Sequence, residues 1–173
     1  MKRNVSVITD LDGKKIVVVH DILFYGKQNI NWNEVESYLK KYVDEYFRII
    51  ETGEVIYIGK DLPYEYKGSE YSANLKGGLA KAKANVSQGI PELIEIAKNK
   101  RYRQNVKKKH NKDARFGWYR YDTRFALPVY DNEGELQRYN VFNAELLVRH
   151  DADGRLYLYD VINIKKKQST PFE

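Results

Sequence analysis

The chain has 173 residues, 42% of them hydrophobic and 31% charged, a balance that fits one soluble globular domain with its own core and excludes a disordered or fibrous protein. It contains no cysteine, which removes disulfides, thiolate zinc sites, iron–sulfur clusters and a cysteine nucleophile, and fits a cytosolic setting. Thirty Lys and Arg against 24 Asp and Glu leave a net charge of +6, mildly attractive to polyanions; no stretch approaches the roughly 18 apolar residues of a membrane span or builds a signal-peptide core.

Val5, Val7 and Ile8, the turn Thr9–Gly13 and the β-branched run Ile16 to Val19 read as a hairpin. A helix follows from Asn33, a capping residue, with Val35, Leu39, Tyr42, Val43, Tyr46 and Phe47 at helical spacing and an end near Thr52-Gly53. Val55 to Ile58 reads as a strand and Lys60 to Ser72 as a loop. Ala73 to Val86, rich in Ala and Lys, reads as a helix, and Pro91 opens another that runs to about His110. From Phe116 the pattern becomes three strands, Phe116 to Tyr130, Leu136 to His150 and Arg155 to Lys165, separated by Asp131–Gly134 and Asp151–Gly154.

The expectation is a single α+β domain over 1–173, an N-terminal hairpin and helices packed on one face of a C-terminal antiparallel meander sheet. Its parts are 1–53 for the hairpin and first helix, 54–115 for the helical middle and 116–165 for the meander.

Alternation assigns the two faces of the meander. Tyr119, Tyr121, Phe125, Leu127 and Val129, with Phe142, Ala144, Leu146 and Val148, and with Leu156, Leu158, Ile162 and Ile164, form the core side. Opposite lie Arg120, Asp122 and Arg124, then Asn143, Glu145 and Arg149, then Tyr157, Tyr159, Asn163 and Lys165. Metal-independent RNA cleavage needs a base for the ribose 2′-hydroxyl, an acid for the leaving 5′-oxygen and cations around the phosphorane. Glu145 or His150 can be the base, or His150 the acid. Arg120, Arg124, Arg149 and Lys165 can hold the phosphate. Tyr157 or Tyr159 can stack on a base or donate a hydrogen bond. A solvated sheet face carries the same residue types, and cross-strand Glu–Arg pairs are ordinary sheet chemistry.

From Lys98 to Arg124 eleven Lys and Arg stand against two Asp, a local charge of +9. Lys100, Arg101, Arg103, Lys107, Lys108, Lys109, Lys112 and Arg115 are interleaved here with Tyr102, Phe116, Trp118 and Tyr119, the footprint of a phosphate backbone and unpaired bases, or a solvated basic helix. Leu75–Leu79 matches neither a Walker loop nor a dinucleotide fingerprint, so no nucleotide cofactor is expected. No histidine pair has zinc spacing, and no metal is expected.

The string Gly117-Trp118-Tyr119-Arg120-Tyr121-Asp122-Thr123-Arg124-Phe125-Ala126-Leu127-Pro128-Val129-Tyr130 stands with Ile56–Lys60, Ala80–Asn85, Gly89–Leu93, Arg138–Phe142, Leu156–Asp160 and Asn163–Lys166. Together they resemble nuclease-like domains at the ends of phage and mobile-element proteins, in the barnase, EndoU, colicin and RelE-like superfamily. The resemblance spans about Val5 to Pro171. It implies helices followed by an antiparallel sheet and metal-independent cleavage on the sheet's polar face. The positions matching its scattered polar set are Arg120, Arg124, Glu145, Arg149, His150 and Lys165, with Ser169 or Thr170. It further implies RNA as partner, tRNA or a CRISPR guide, and an anti-defence role in the cytoplasm of a bacterial host. The alternative is a non-catalytic inhibitor of an RNA-guided nuclease such as Cas9.

Overall fold

The computed structural model describes residues 3–25, 30–69, 72, 75, 77–103 and 117–167. Strands β1 (Val5–Thr9) and β2 (Lys15–Val19) form an antiparallel hairpin. The Asp10 carboxylate closes its turn by accepting the backbone N–H groups of Asp12 and Lys14, each at 2.9 Å. Gly13 there takes a φ of +78°, where a side chain would be strained. Val17 and Val19 enter the main core, whereas Ile16 and Val18 meet Ala126 and Val141 on the other side of the sheet. This two-sided burial explains four consecutive apolar residues in so short a strand.

The long helix expected from Asn33 is corrected. Helix α1 spans Trp32–Leu39, capped by Asn31 rather than Asn33, and a 3₁₀ turn follows over Lys40–Tyr42. Val43 then turns extended and Asp44 takes a φ of 75°. Tyr46–Arg48 becomes β3, paired antiparallel with β4 (Val55–Tyr57). Aromatic residues at Tyr46 and Phe47 suit a strand as well as a helix, and sheet pairing decides between them.

Two further segments differ from expectation. The stretch read as a loop after Gly59 contains helix α2 (Leu62–Gly68), with Pro63 in its first turn and Leu62 and Tyr66 buried. Helices α3 (Gly78–Val86) and α4 (Ile90–Glu95) are joined by the 3₁₀ turn Ser87–Gly89, with Pro91 in the first turn of α4. The last helix does not continue to His110. It stops at Glu95, and the basic segment Lys98–Arg103 is strand β5. Its cations find carboxylates across the sheet there, Lys100 on Glu54 and Arg101 on Asp122, which a free helix would leave to solvent.

The long strands are β6 (Trp118–Tyr130), β7 (Leu136–His150) and β8 (Leu156–Lys166). The strand order is β1-β2-β6-β7-β8-β4-β3, with β5 sharing the β6 edge with β2. β6 pairs antiparallel with β7, and β7 with β8. Because β2 joins β6 and β4 joins β8 in parallel, the sheet as a whole is mixed, not the antiparallel sheet expected, while the α+β class stands.

Two irregularities in the β7–β8 register change the parity of β8. Tyr159 is passed over between the partners Leu158 and Asp160, and Asn163 takes a φ of 52°. As a result Val161 and Ile164 reach the main core, while Ile162, expected there, packs with Leu147, Tyr159 and Trp118 on the opposite face. Strict alternation cannot foresee such a shift.

Val35, Leu39, Leu62, Tyr66, Ala82, Val86 and Leu93 from the helices share the main core with Tyr121, Phe125, Phe142, Leu146 and Leu158 from the sheet. The cross-strand partners Phe125 and Phe142 stack at 5.0 Å. Within this layer Lys83 of α3 and Asp160 of β8 pair at 2.7 Å with both side chains wholly buried. Asp160 also accepts the Ser69 hydroxyl at 2.7 Å, and the Lys83 ammonium lies over the Tyr66 ring at 4.9 Å.

Candidate active site

The sheet face turned away from the helices carries even-numbered residues of β6 beside odd-numbered residues of β7. Asp122 is the register partner of Glu145, Arg120 of Leu147, and Arg124 of Asn143. Strand β5 adds Arg101 opposite Arg120. Three neighbouring strands therefore supply a single patch: β6 a carboxylate and a guanidinium (Asp122 and Arg120), β7 a carboxylate (Glu145) and β5 a guanidinium (Arg101).

Glu145 is its centre. Its carboxylate accepts Arg101 Nη2 at 3.0 Å and Asn163 Nδ2 at 2.8 Å, and lies 3.5 Å from Arg120 Nη1. Asn163 reaches it because of the left-handed backbone at that position. Arg101 also binds Asp122 at 2.8 Å and its own Asn99 carbonyl at 2.7 Å, and Asn99 Nδ2 donates to Asp122 at 2.9 Å. The hydrogen bond to Asp122, then the charges of Asp122 and Glu145, hold the Arg101 guanidinium above its ordinary pKa against the opposing effect of burial. Glu145 keeps a quarter of its side chain exposed and Arg120 about as much (25% and 27%), so the group is fixed yet open to a ligand.

Arg124 lies on the same face, paired at 2.8 Å with Asp10 of the first hairpin turn. Next to it a cleft of about 410 Å³ opens where β2 and β5 approach the same edge of β6, lined by Lys14, Lys15, Lys98, Asn143 and Lys167 as well as Arg124. Lys165 is exposed and pairs in register with Asn143.

Arg149 has a different environment. Asp61 and Asp151 clamp its guanidinium, which is 10% exposed. Burial acts to lower its pKa, but the bonds to Asp151 and Asp61 outweigh burial and raise it. Burial raises the Asp151 carboxyl in turn, in spite of Arg149. Tyr157 donates to Asp153 at 2.7 Å, and Tyr159 meets Trp118 edge-on at 4.9 Å.

The structure thus brings together Arg101, Arg120 and Glu145, with Arg124 and Lys165 along the same face and Arg149, Tyr157, Tyr159 and the exposed Arg103 toward its other end. It separates His150 and Lys100 from them. His150 has the parity of Val148 and lies against the Tyr119 ring at 5.8 Å, on the helix side. Lys100 lies over the Tyr119 ring at 4.1 Å and pairs with Glu54 on that side too. Lys107, Lys108, Lys109, Lys112, Arg115, Ser169 and Thr170 lie outside the described residues. Sequence reasoning missed Asn99 and Asp10 as holders of Asp122 and Arg124, since Asp10 acts from a hairpin turn and Asn99 from an irregular position in β5, neither of which alternation addresses. No helix among the described residues is long and apolar enough to cross a membrane.

Comparison with family models, with curated proteins and with solved structures finds no match to this chain.

Proposed function

We propose that the chain is a metal-independent endoribonuclease of the phage and mobile-element type that its sequence resembles, acting on structured RNA such as tRNA or a CRISPR guide. The observation that carries this reading is Glu145 held by Arg101, Arg120 and Asn163 on a sheet face turned from the helices. Glu145 takes the proton of the ribose 2′-hydroxyl, the 2′-oxygen attacks phosphorus, and Arg101 and Arg120 stabilise the phosphorane. Lys165, on the same face, is the ammonium available to the leaving 5′-oxygen, a place the His150 ring does not reach. The products are a 2′,3′-cyclic phosphate and a 5′-hydroxyl.

A nuclease of this kind suits an anti-defence role in a bacterial cytoplasm. A second reading is favoured by the pairing of Glu145 with three donors, which also describes a rigid, non-catalytic surface that occupies the nucleic-acid groove of an RNA-guided nuclease.

Labelled tRNA and guide RNA, incubated in chelator with and without the cognate effector, separate the two. Cleavage with cyclic-phosphate ends, reduced roughly 100- to 10,000-fold in Glu145→Gln and Arg120→Ala at unchanged thermal stability, supports the nuclease. Salt-sensitive binding without scission supports the inhibitor.

A further inference from the structure

Six side chains form one unbroken cross-strand row on the face turned from the helices. Tyr46 pairs in register with Tyr57, Tyr57 with Tyr157, Tyr157 with Arg149, Arg149 with Trp118, and Trp118 with Arg103. The row crosses β3, β4, β8, β7, β6 and β5, about 24 Å at ordinary strand spacing. All six share a face, because each is flanked along its own strand by residues of the helix side: Phe47, Ile56, Leu156, Val148, Tyr119 and Tyr102.

The rings are spaced like rungs. Tyr46 and Tyr57 lie 5.6 Å apart, and Tyr57 and Tyr157 lie 5.9 Å apart. Tyr46 is 61% exposed, and Tyr57, Tyr157 and Trp118 are each half-buried. Exposed Arg155 lies over this ladder, its guanidinium carbon 4.6 Å from the Tyr57 ring centre. Arg149 does not move freely within it, since Asp61 and Asp151 fix it between Tyr157 and Tyr159, 5.8 Å from each ring. A cleft of about 740 Å³ lies over the tyrosine end, its charged lining made of Lys60, Arg149 and Arg155 with Asp61, Asp151 and, next to Tyr46 in the chain, Asp44 and Glu45.

We infer that this row is a stacking track for the bases of a single-stranded stretch of RNA, entering over Arg103 and Trp118 and running to Tyr157 and Tyr57. Aromatic rings and guanidinium planes accept any base by stacking, and cations beside them take the phosphates. The charges match a polyanion's path: Arg101, Arg103 and Arg120 flank the Trp118 end, and Arg155 and Lys60 flank Tyr57. The negative pair Asp44 and Glu45, next to Tyr46, ends the track there. Asp61 and Asp151 are engaged by Arg149 and Asp153 by the Tyr157 hydroxyl, so these carboxylates position the row. A base that stacks on Tyr57 displaces the Arg155 guanidinium, which then turns to a phosphate.

The inference rests on the reading of the chain as a protein that acts on RNA, and its test does not depend on cleavage. The probe is a short single-stranded 2′-O-methyl oligonucleotide carrying 2-aminopurine, which has no free 2′-hydroxyl, compared with the duplex of the same sequence. Binding is expected to change the 2-aminopurine fluorescence and to favour the single strand. Tyr157→Ala and Tyr57→Ala are each expected to weaken it roughly 5- to 100-fold with an unchanged salt slope, while Tyr57→Phe retains it. Arg103→Ala is expected to lower the salt slope by about 1. Equal binding by the alanine variants, or a preference for the duplex, overturns the track even if the protein cleaves RNA. Track binding together with intact RNA in every cleavage assay leaves the track standing and removes the nuclease.

Discussion

The Lys83–Asp160 pair joins α3 to β8 beneath the helical layer, and both side chains are 0% exposed. Lys83→Met keeps the buried stem but removes the ammonium, leaving Asp160 with the Ser69 hydroxyl and the Val161 N–H as its donors. Breaking a buried pair from one side costs about 3–5 kcal/mol, because the surviving charge stays desolvated. Burial already pushes the Asp160 carboxyl upward, so it can take up a proton in the variant, which sets the expected loss at the lower end, about 3 kcal/mol. For a chain of this length that corresponds to a fall in Tm of roughly 6–12 °C. The double variant Lys83→Met, Asp160→Leu removes both charges at once and is expected to recover most of this loss, since an apolar pair of similar volume is often neutral or stabilising. Urea unfolding followed by far-UV circular dichroism, with calorimetry on the same four proteins, closes the double-mutant cycle. A single variant that loses less than about 1 kcal/mol, or a double variant as unstable as the sum of the singles, would refute this account of the pair.

Glu36 of α1 receives the Lys67 ammonium of α2 at 2.7 Å, and this bond is the main reason its carboxyl lies below the ordinary pKa. A depressed folded-state value means a contribution present above the unfolded pKa and lost as pH falls through the folded one. In Glu36→Gln, acid unfolding should be correspondingly less steep below about pH 4.5, and a side-chain NMR titration of Glu36 at its unperturbed value would contradict the pairing. The turns at Asp131 and Asp151 should respond differently to alanine. Asp131→Ala loses the N–H groups of Glu133 and Glu135, each now accepted at 2.9 Å, and is expected to cost about 1 kcal/mol without touching RNA binding. Asp151→Ala is expected to weaken binding to the 2-aminopurine probe by releasing Arg149, and equal binding by both variants would separate Arg149 from the track.

The patch around Glu145 is legible from alternation because β6 and β7 pair across Asp122 to Arg124 without interruption, so parity alone sends Arg120, Asp122 and Glu145 to one side. The same rule applies to His150: even parity in β7 places it with Val148, on the face opposite Glu145, so its place among the candidates comes from residue chemistry and not from alternation. The β8 errors have another origin. A register irregularity is a tertiary accommodation, and nothing in Leu156–Lys166 marks Tyr159 or Asn163 as the places where β7 and β8 fall out of step. Mid-chain mistakes share one cause: Tyr46–Arg48 and Lys98–Arg103 are short segments whose composition fits either helix or strand, and each is drawn into the sheet by an edge that only the fold supplies. The tyrosine–arginine row is not legible as a row for a related reason: Arg103, Trp118, Arg149 and Tyr157 stand out singly in the sequence, but the six members come from six strands whose order and register only the fold supplies.

Three hairpin turns share the pattern of Asp followed three residues later by Gly: Asp10 with Gly13, Asp131 with Gly134, and Asp151 with Gly154. In each, the Gly N–H bonds back to the Asp carbonyl at 3.0 Å, and the backbone does not distinguish them. The carboxylates do. Asp10 and Asp131 accept two backbone N–H groups of their own turns. Asp151 instead faces Arg149, and Asp153 takes over the turn by accepting the Arg155 N–H at 2.8 Å. Asp61 makes a parallel exchange: it occupies the cap position of α2 but makes no capping bond, its carboxylate lying on Arg149. Two acidic residues placed where local structure would ordinarily hold them thus converge on one buried guanidinium, forgoing about 1 kcal/mol of local stabilisation each. What the fold obtains is an arginine whose orientation between Tyr157 and Tyr159 is set before any ligand arrives, so ordering that side chain adds nothing to the cost of binding.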